Sequence, residues 1–257
     1  MPADLTISIA TLYGFLLVLA RLGGALIFVP LPGISSAPET ARAGLALTLT
    51  LALVARWPHI DEASVSAARL AEWAASEAVI GVAIGTALSL VLEVFTLAAQ
   101  IFGLQAGYAY ASTIDPNTQA DSGILLVFAQ LMAGLLFFAL GLDREVVRLF
   151  ALSLDKIPAG SYVFGRASAE SLVHLGANLF SVALRLAFPV MALLVMVDVA
   201  LALLGRVNSQ LQLLTLAFPA KMLLALLVLS WITVLFPRVM REVSGLAWHT
   251  ARDVLGL

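Results

Sequence analysis

The apolar residues of this chain fall into five or six long runs, and that feature narrows its possible folds more than any other. A helix that crosses a bilayer needs roughly 20 mostly apolar residues to cover about 30 Å of hydrocarbon. The first run covers residues 5–29, is interrupted only by Arg21 and stops at Pro30-Leu31-Pro32-Gly33. The second, 43–57, is short and closed by Pro58, and the third, 74–102, carries Glu77 and Glu93. The fourth, 124–142, has no formal charge, and the fifth, 172–204, holds Arg185, Pro189 and Asp198. The sixth, 222–236, is short and ends at Pro237. Of the 257 residues, 61% are hydrophobic and 12% charged, whereas soluble domains run nearer a half and a quarter. A soluble fold of this size has too much surface to hide such an excess. The surplus must face lipid, other subunits, or both.

The alternating polarity of a membrane barrel is missing, and the dominant Leu and Ala suit helices. The fold class is therefore all-α, a polytopic membrane protein with no linker or second domain, so residues 1–257 read as one domain. Residues 143–158 have a different texture. Val146, Val147, Leu149, Phe150, Leu154 and Ile157 recur near helical period among Arg144, Arg148 and Lys156. Asp143 is placed to cap this segment and Pro158 to end it, which predicts an amphipathic helix at a membrane surface or a subunit contact. The tail, 238–257, has a similar pattern.

If all six runs cross, one set of loops holds Arg56, Arg69, Arg144, Arg148, Lys156, Arg166, Arg238, Arg241 and Arg252, and the other only Arg42, Arg206 and Lys221. That asymmetry predicts a cytoplasmic C-terminus. No basic stretch precedes the first run, so that segment is expected to be retained, not cleaved as a signal peptide. A net charge of −2 gives no electrostatic case for nucleic acid. The absence of Cys removes disulfides and thiolate chemistry.

Catalysis has little to stand on. The three His, His59, His174 and His249, show no metal-site spacing, and there is no phosphate-binding loop or nucleophile elbow. No cofactor is expected. Arg21, Glu77, Glu93, Arg185 and Asp198 lie in or beside apolar runs, where an ionised group is unfavourable unless paired. An ion pathway would gather them on one face. Arg185 and Asp198 would sit about 20 Å apart on one straight helix, and Glu77 and Glu93 fall on nearly opposite faces. Pairing between helices or subunits is the favoured reading. Gly81 with Gly85, and Gly103 with Gly107, have the small-xxx-small spacing that lets helix backbones approach closely. Two polar breaks, 108–123 and 205–212, read as surface loops or as pore lining.

The order of motifs resembles the flagellar biosynthesis protein FliR family and its counterparts in virulence-type (type III) secretion. The residues that carry the likeness are Arg21-Leu22-Gly23-Gly24, Pro30, Pro38, Arg42, Gly44, Gly81, Gly85 and Gly103-Leu104-Gln105-Ala106-Gly107. They continue with Ala111, Asp115-Pro116, Ile157-Pro158-Ala159-Gly160, Ala183 through Val190, Arg206, Gln210-Leu211 and Phe218-Pro219-Ala220-Lys221. The chain departs from the family at Gly141-Leu142-Asp143 and at Ser209-Gln210-Leu211-Gln212.

The resemblance implies a bacterial inner-membrane export gate built of helical hairpins. This chain would contribute one copy beside FliP and FliQ, with FlhB and FlhA nearby, and unfolded flagellar proteins would pass through. It also implies that the helices do not follow a simple spanning topology. Gly107, Ala111, Asp115 and Pro116 would belong to a loop that plugs the closed pore. Arg206, Gln210, Phe218, Pro219 and Lys221 would lie near a cytoplasmic constriction. Gly81, Gly85 and Gly103 would pack helices. The rivals are an injectisome subunit, and, from other classes, a secondary transporter or an intramembrane enzyme.

Overall fold

The computed structural model describes residues 8–28, 38–60, 66–108, 124–207 and 213–256, and every regular element among them is helical. Helix α1 runs Ile9–Phe28, and the Thr11 amide donates to the Ser8 side chain at its start (3.2 Å), as a serine N-cap does. Helix α2, Glu39–Ala52, follows Pro38 and passes into a single 3-10 turn, Val54–Arg56. Helix α3, Ala67–Ala106, opens on Ser66, whose hydroxyl accepts from the Arg69 amide. It ends at Gly107, where φ is +89°, a conformation that favours a residue without Cβ.

Helix α4, Ile124–Ala139, is separated from α5, Leu142–Lys156, by a 64° bend. Gly141 makes the corner at φ +70°. Its carbonyl accepts from the Arg144 and Glu145 amides, so the backbone takes up donors that a cap would have served. Asp143 is therefore not the cap; it lies inside the first turn, where its charge still suits the helix dipole. Helix α6, Arg166–Val207, contains Pro189, and α7, Leu213–Ile232, contains Pro219. A 3-10 turn, Thr233–Leu235, joins α7 to α8, Phe236–Leu255. Pro237 does not break this segment because it lies in the first turn of α8, where a proline removes no intrahelical bond.

Four described helical segments are long and apolar enough to cross a membrane, or five if the bent α4–α5 pair counts as one. The run at 43–57 is not among them, because α2 has only 14 residues. The basic-residue count for a cytoplasmic C-terminus assumed six crossings and loses its premise. Helices α3 and α6, at 40 and 42 residues, are about twice the length that one crossing needs.

The residues divide into two compact units. One comprises Met1–Val91, Gly141–Gly176 and Ser244–Leu257, the other Leu92–Leu140 and Ala177–Val243. In the first unit, α1 and the N-terminal part of α3 lie in direct backbone contact. A Cβ on Gly24 would come within 2.5 Å of the Ala78 carbonyl oxygen, and one on Gly85 as close to that of Ala25; one on Gly81 would overlap the Arg21 carbonyl. The amphipathic α5 turns Val146, Leu149 and Phe150 inward to bury them, so its apolar stripe is spent inside the chain and is not offered to a membrane surface. The end of α8 is treated likewise, with Ala247, Ala251 and Val254 buried and the Trp248 indole donating to Glu145 (3.3 Å).

The second unit buries Phe95 against Phe236, ring centroids 5.0 Å apart, together with Leu125, Ala183, Ala187 and Leu194. Its outer surface is oily: Leu135 is 65% exposed, Phe188 71% and Trp231 79%. Patches of this kind mark surfaces meant for lipid or protein.

Gly81→Val should lower the unfolding midpoint of the detergent-solubilised protein through overpacking of about 1–3 kcal/mol or more, because the obstacle is backbone. Gly23→Ala, where nothing lies within 4 Å of the new Cβ, should leave the midpoint unchanged or slightly raised, since Ala is the better helix former by about 1 kcal/mol.

Candidate functional site

Two polar clusters stand out, one in each unit. In the first, Arg21 of α1 and Glu77 of α3 are each only 1% exposed. The Arg21 Nε donates to Glu77 Oε2 at 2.5 Å, one Nη to the Ser153 hydroxyl at 3.1 Å and the other to the Ile157 carbonyl at 3.4 Å. The second carboxylate oxygen, Oε1, accepts from the Gly160 amide at 3.2 Å. The pair therefore fastens α1, α3, the end of α5 and the turn at Pro158 to one another. Gly160 suits that turn twice over: its φ is +73°, and the Trp73 ring occupies the space a Cβ would need. Beside the pair is a cavity of about 40 Å³ lined by Leu17, Val18, Pro58 and Leu154, room for little more than a water molecule. The guanidinium is held at three nitrogens and the carboxylate on both oxygens. The cluster has the chemistry of a fastener.

The second cluster joins the end of α3 to α6 and α7. Lys221 pairs with Asp198 Oδ1, and the Gln105 amide donates to Asp198 Oδ2 at 3.3 Å. The Tyr108 hydroxyl donates to the carbonyl of Met222 at 3.1 Å; burial raises the pKa of this phenol, which keeps it a neutral donor. The Lys221 side chain is 14% exposed and that of Asp198 39%.

Of the five charges in apolar runs, the structure thus buries two, Arg21 and Glu77, against each other. Asp198 is half-buried and paired, while Glu93 and Arg185 face outward from the isolated chain. Glu93 has a local partner in the Thr96 hydroxyl, at 2.6 Å. Arg185 precedes Pro189 by one turn, so its carbonyl has no helical N–H to accept.

A Cβ added at Gly103 would meet only an ordinary contact, a Leu125 methyl at 3.9 Å. Gly107 lies at the end of α3, whereas Ala111, Asp115, Pro116 and Gln210 lie outside the described residues. Arg206 is exposed near the end of α6. Phe218, Pro219 and Lys221 are not part of a break: α7 already begins at Leu213 and carries them. Pro219 is the seventh residue of α7 and lies inside the helix, which therefore forgoes one i→i−4 hydrogen bond at that point. The structure therefore brings together residues from both regions singled out in the sequence, since Gln105 and Tyr108 flank Gly107 and bond to Asp198 and to the Met222 carbonyl, beside Lys221. Sequence reasoning missed Ser153, Gly160, Gln105 and Tyr108 as partners. A polar Gln inside an apolar helix was the available signal for one of them.

Among the described residues no three His, Asp or Glu side chains gather as metal ligands would. Long apolar helices, three of whose five internal charges are paired, and an oily outer surface define a polytopic membrane protein. The sequence model described as bacterial export proteins, family 1, matches residues 12–246. The flagellar biosynthetic protein FliR of Escherichia coli K12 is 28% identical over 185 residues, 72% of this chain and 70% of that protein. The protein of that name from Bacillus subtilis 168 is 26% identical over 253 residues, 95% of both chains. That of Pectobacterium carotovorum is 25% identical over 212 residues, 82% and 81%. The chain belongs to family 1 of the bacterial export proteins.

Arg21→Met should strand the Glu77 carboxylate and destabilise the protein by about 3–5 kcal/mol. Adding Glu77→Leu should recover most of that loss, because a buried pair replaced by apolar groups is often neutral. Unfolding midpoints of the solubilised single and double variants measure both effects.

Proposed function

We propose that this chain is a subunit of the flagellar export apparatus in the bacterial inner membrane. Together with FliP and FliQ it forms the pore through which unfolded flagellar proteins cross. The observation that carries this reading is the uncovered apolar surface of the second unit, in a chain matched by an export family over residues 12–246. A self-sufficient carrier would cover its own helices except toward lipid, whereas an assembled part leaves faces for its neighbours. The lengths of α3 and α6 point the same way, since neither fits within a bilayer as a single upright crossing. The names borne by its relatives favour the flagellar system over an injectisome.

On this reading the chain performs no chemistry, and energy comes from other components, with FlhA and FlhB nearby. The whole chain acts as one export-gate domain, because the family match runs through both units. The segment beginning at Gly107, with Ala111, Asp115 and Pro116, plugs the resting pore. Arg206, Gln210, Phe218, Pro219 and Lys221 contribute to its cytoplasmic constriction.

Co-expression with FliP and FliQ, followed by mild detergent extraction, should yield one large complex containing all three; a monodisperse solitary chain overturns the assembly reading. Deleting residues 114–119 should leave that complex intact and make the membrane leak ions. A sealed membrane after the deletion overturns the plug assignment.

A further inference from the structure

We infer that the Asp198–Lys221 pair, with Gln105 and Tyr108, is a latch that holds the end of α3 against the α6–α7 pair and keeps the export path closed at rest. The inference rests on the pore reading above and assigns one set of side chains to its control.

The geometry supports a latch in three ways. Asp198 lies ten residues before Asn208, and Lys221 nine after Gln212, so the ion pair links α6 and α7 at matched distances from their connection and fixes their register. The carboxylate is shared: one oxygen takes the ammonium of Lys221 and the other the Gln105 amide, so α3 is tied to α6 through the anion that holds α7. Tyr108 adds a second bond from α3 to the backbone of α7, one residue from the lysine. Lifting α3 from the α6–α7 pair breaks both of its bonds together and leaves the Asp198 carboxylate, held among apolar helices, with one oxygen unmet. An ionisable pair in such a setting is a functional element by default.

This cluster differs from Arg21–Glu77 in the property that matters for a moving part. Asp198 is 39% exposed, so its carboxylate is open on one side to whatever adjoins the chain, and another donor can take the place of Gln105 there. A fully buried pair offers no such alternative.

The test uses the chain assembled with FliP and FliQ in a cell membrane. Lys221→Met and Asp198→Asn should each raise the resting ion leak about tenfold, the shift produced by about 1.4 kcal/mol of lost coupling. The exchanged double variant, Asp198→Lys with Lys221→Asp, should return the leak to within about twofold of the parent. Because the chain has no cysteine, Tyr108→Cys with Met222→Cys gives a second arm that leaves Asp198 and Lys221 in place. Joining the two thiols with a short cleavable cross-linker should stop export, and cleavage should restore it.

A complex that forms and stays sealed in both single variants overturns the latch, as does an exchanged variant that leaks like the singles. Should the single variants fail to assemble, the cross-linking arm decides, and normal export through the joined chain overturns the latch. If the parent chain never assembles with its partners, the pore reading itself falls, an outcome distinct from any of these.

Discussion

The arrangement of the first unit depends on a carboxylate and a guanidinium that have no access to water. With Arg21 and Glu77 each 1% exposed, their full attraction is realised only if every remaining donor and acceptor is met, since desolvating two ions opposes the gain. The chain meets the condition from four segments. Glycines at 24, 81 and 85 bring the backbones of α1 and α3 into contact, which places the two side chains within reach. The end of α5 supplies Ser153 and the Ile157 carbonyl, and the following turn supplies the Gly160 amide. A well-packed apolar pair would hold the helices about as tightly. What the ions add is selectivity: rotating α1 by one residue turns Arg21 through about 100° and strands both charges, so competing registers are penalised steeply.

The second unit is held by different means. Its interior is aliphatic and aromatic, its outer faces are apolar, and its Asp198–Lys221 ion pair is partly exposed, by 39% and 14%. Such surfaces have no driving force to stay apart from other apolar surfaces in a membrane, where small residues and shape set the association. Polar residues in α3, α6 and α7 then do what the oily faces cannot, which is to choose one register among many of similar energy.

Much of this was legible in the sequence, and the parts that were not share a cause. The all-helical class and the cores of α1, α3, α4 and α6 follow from apolar runs long enough to admit no other element. Gly107 and Gly141 mark helix ends through a positive φ, which the apolar pattern did not show: the fourth run continues across Gly141 to residue 142. Three features were misplaced. The capping role given to Asp143 fell to the backbone of Gly141, Pro237 read as the end of a run although it lies in the first turn of α8, and the stripe on α5 read as facing a membrane surface or a subunit although it packs inward. Periodicity reports that a face is apolar but not what covers it. The ion pairs were anticipated as a type without their members, because partners separated by 56 residues, such as Arg21 and Glu77, are matched by packing and leave no local trace.

The contrast between the two clusters bears on how an export component can be both stable and mobile. A buried network in which each polar atom is satisfied has one favourable state, and any opening carries the whole desolvation penalty at once. The Arg21 cluster is of that kind and suits a frame. A pair with one partner 14% and the other 39% exposed pays less on opening, because solvent or a polar chain replaces part of what is lost. Elements that move are drawn from the less stable end of a fold's range. The chemistry of the two charge pairs therefore assigns rigidity to the helices around Arg21 and adjustability to the end of α3 and its contacts with α6 and α7. On the pore reading proposed above, passage of an unfolded chain requires that division, since a passage that yields everywhere cannot seal and one that yields nowhere cannot conduct.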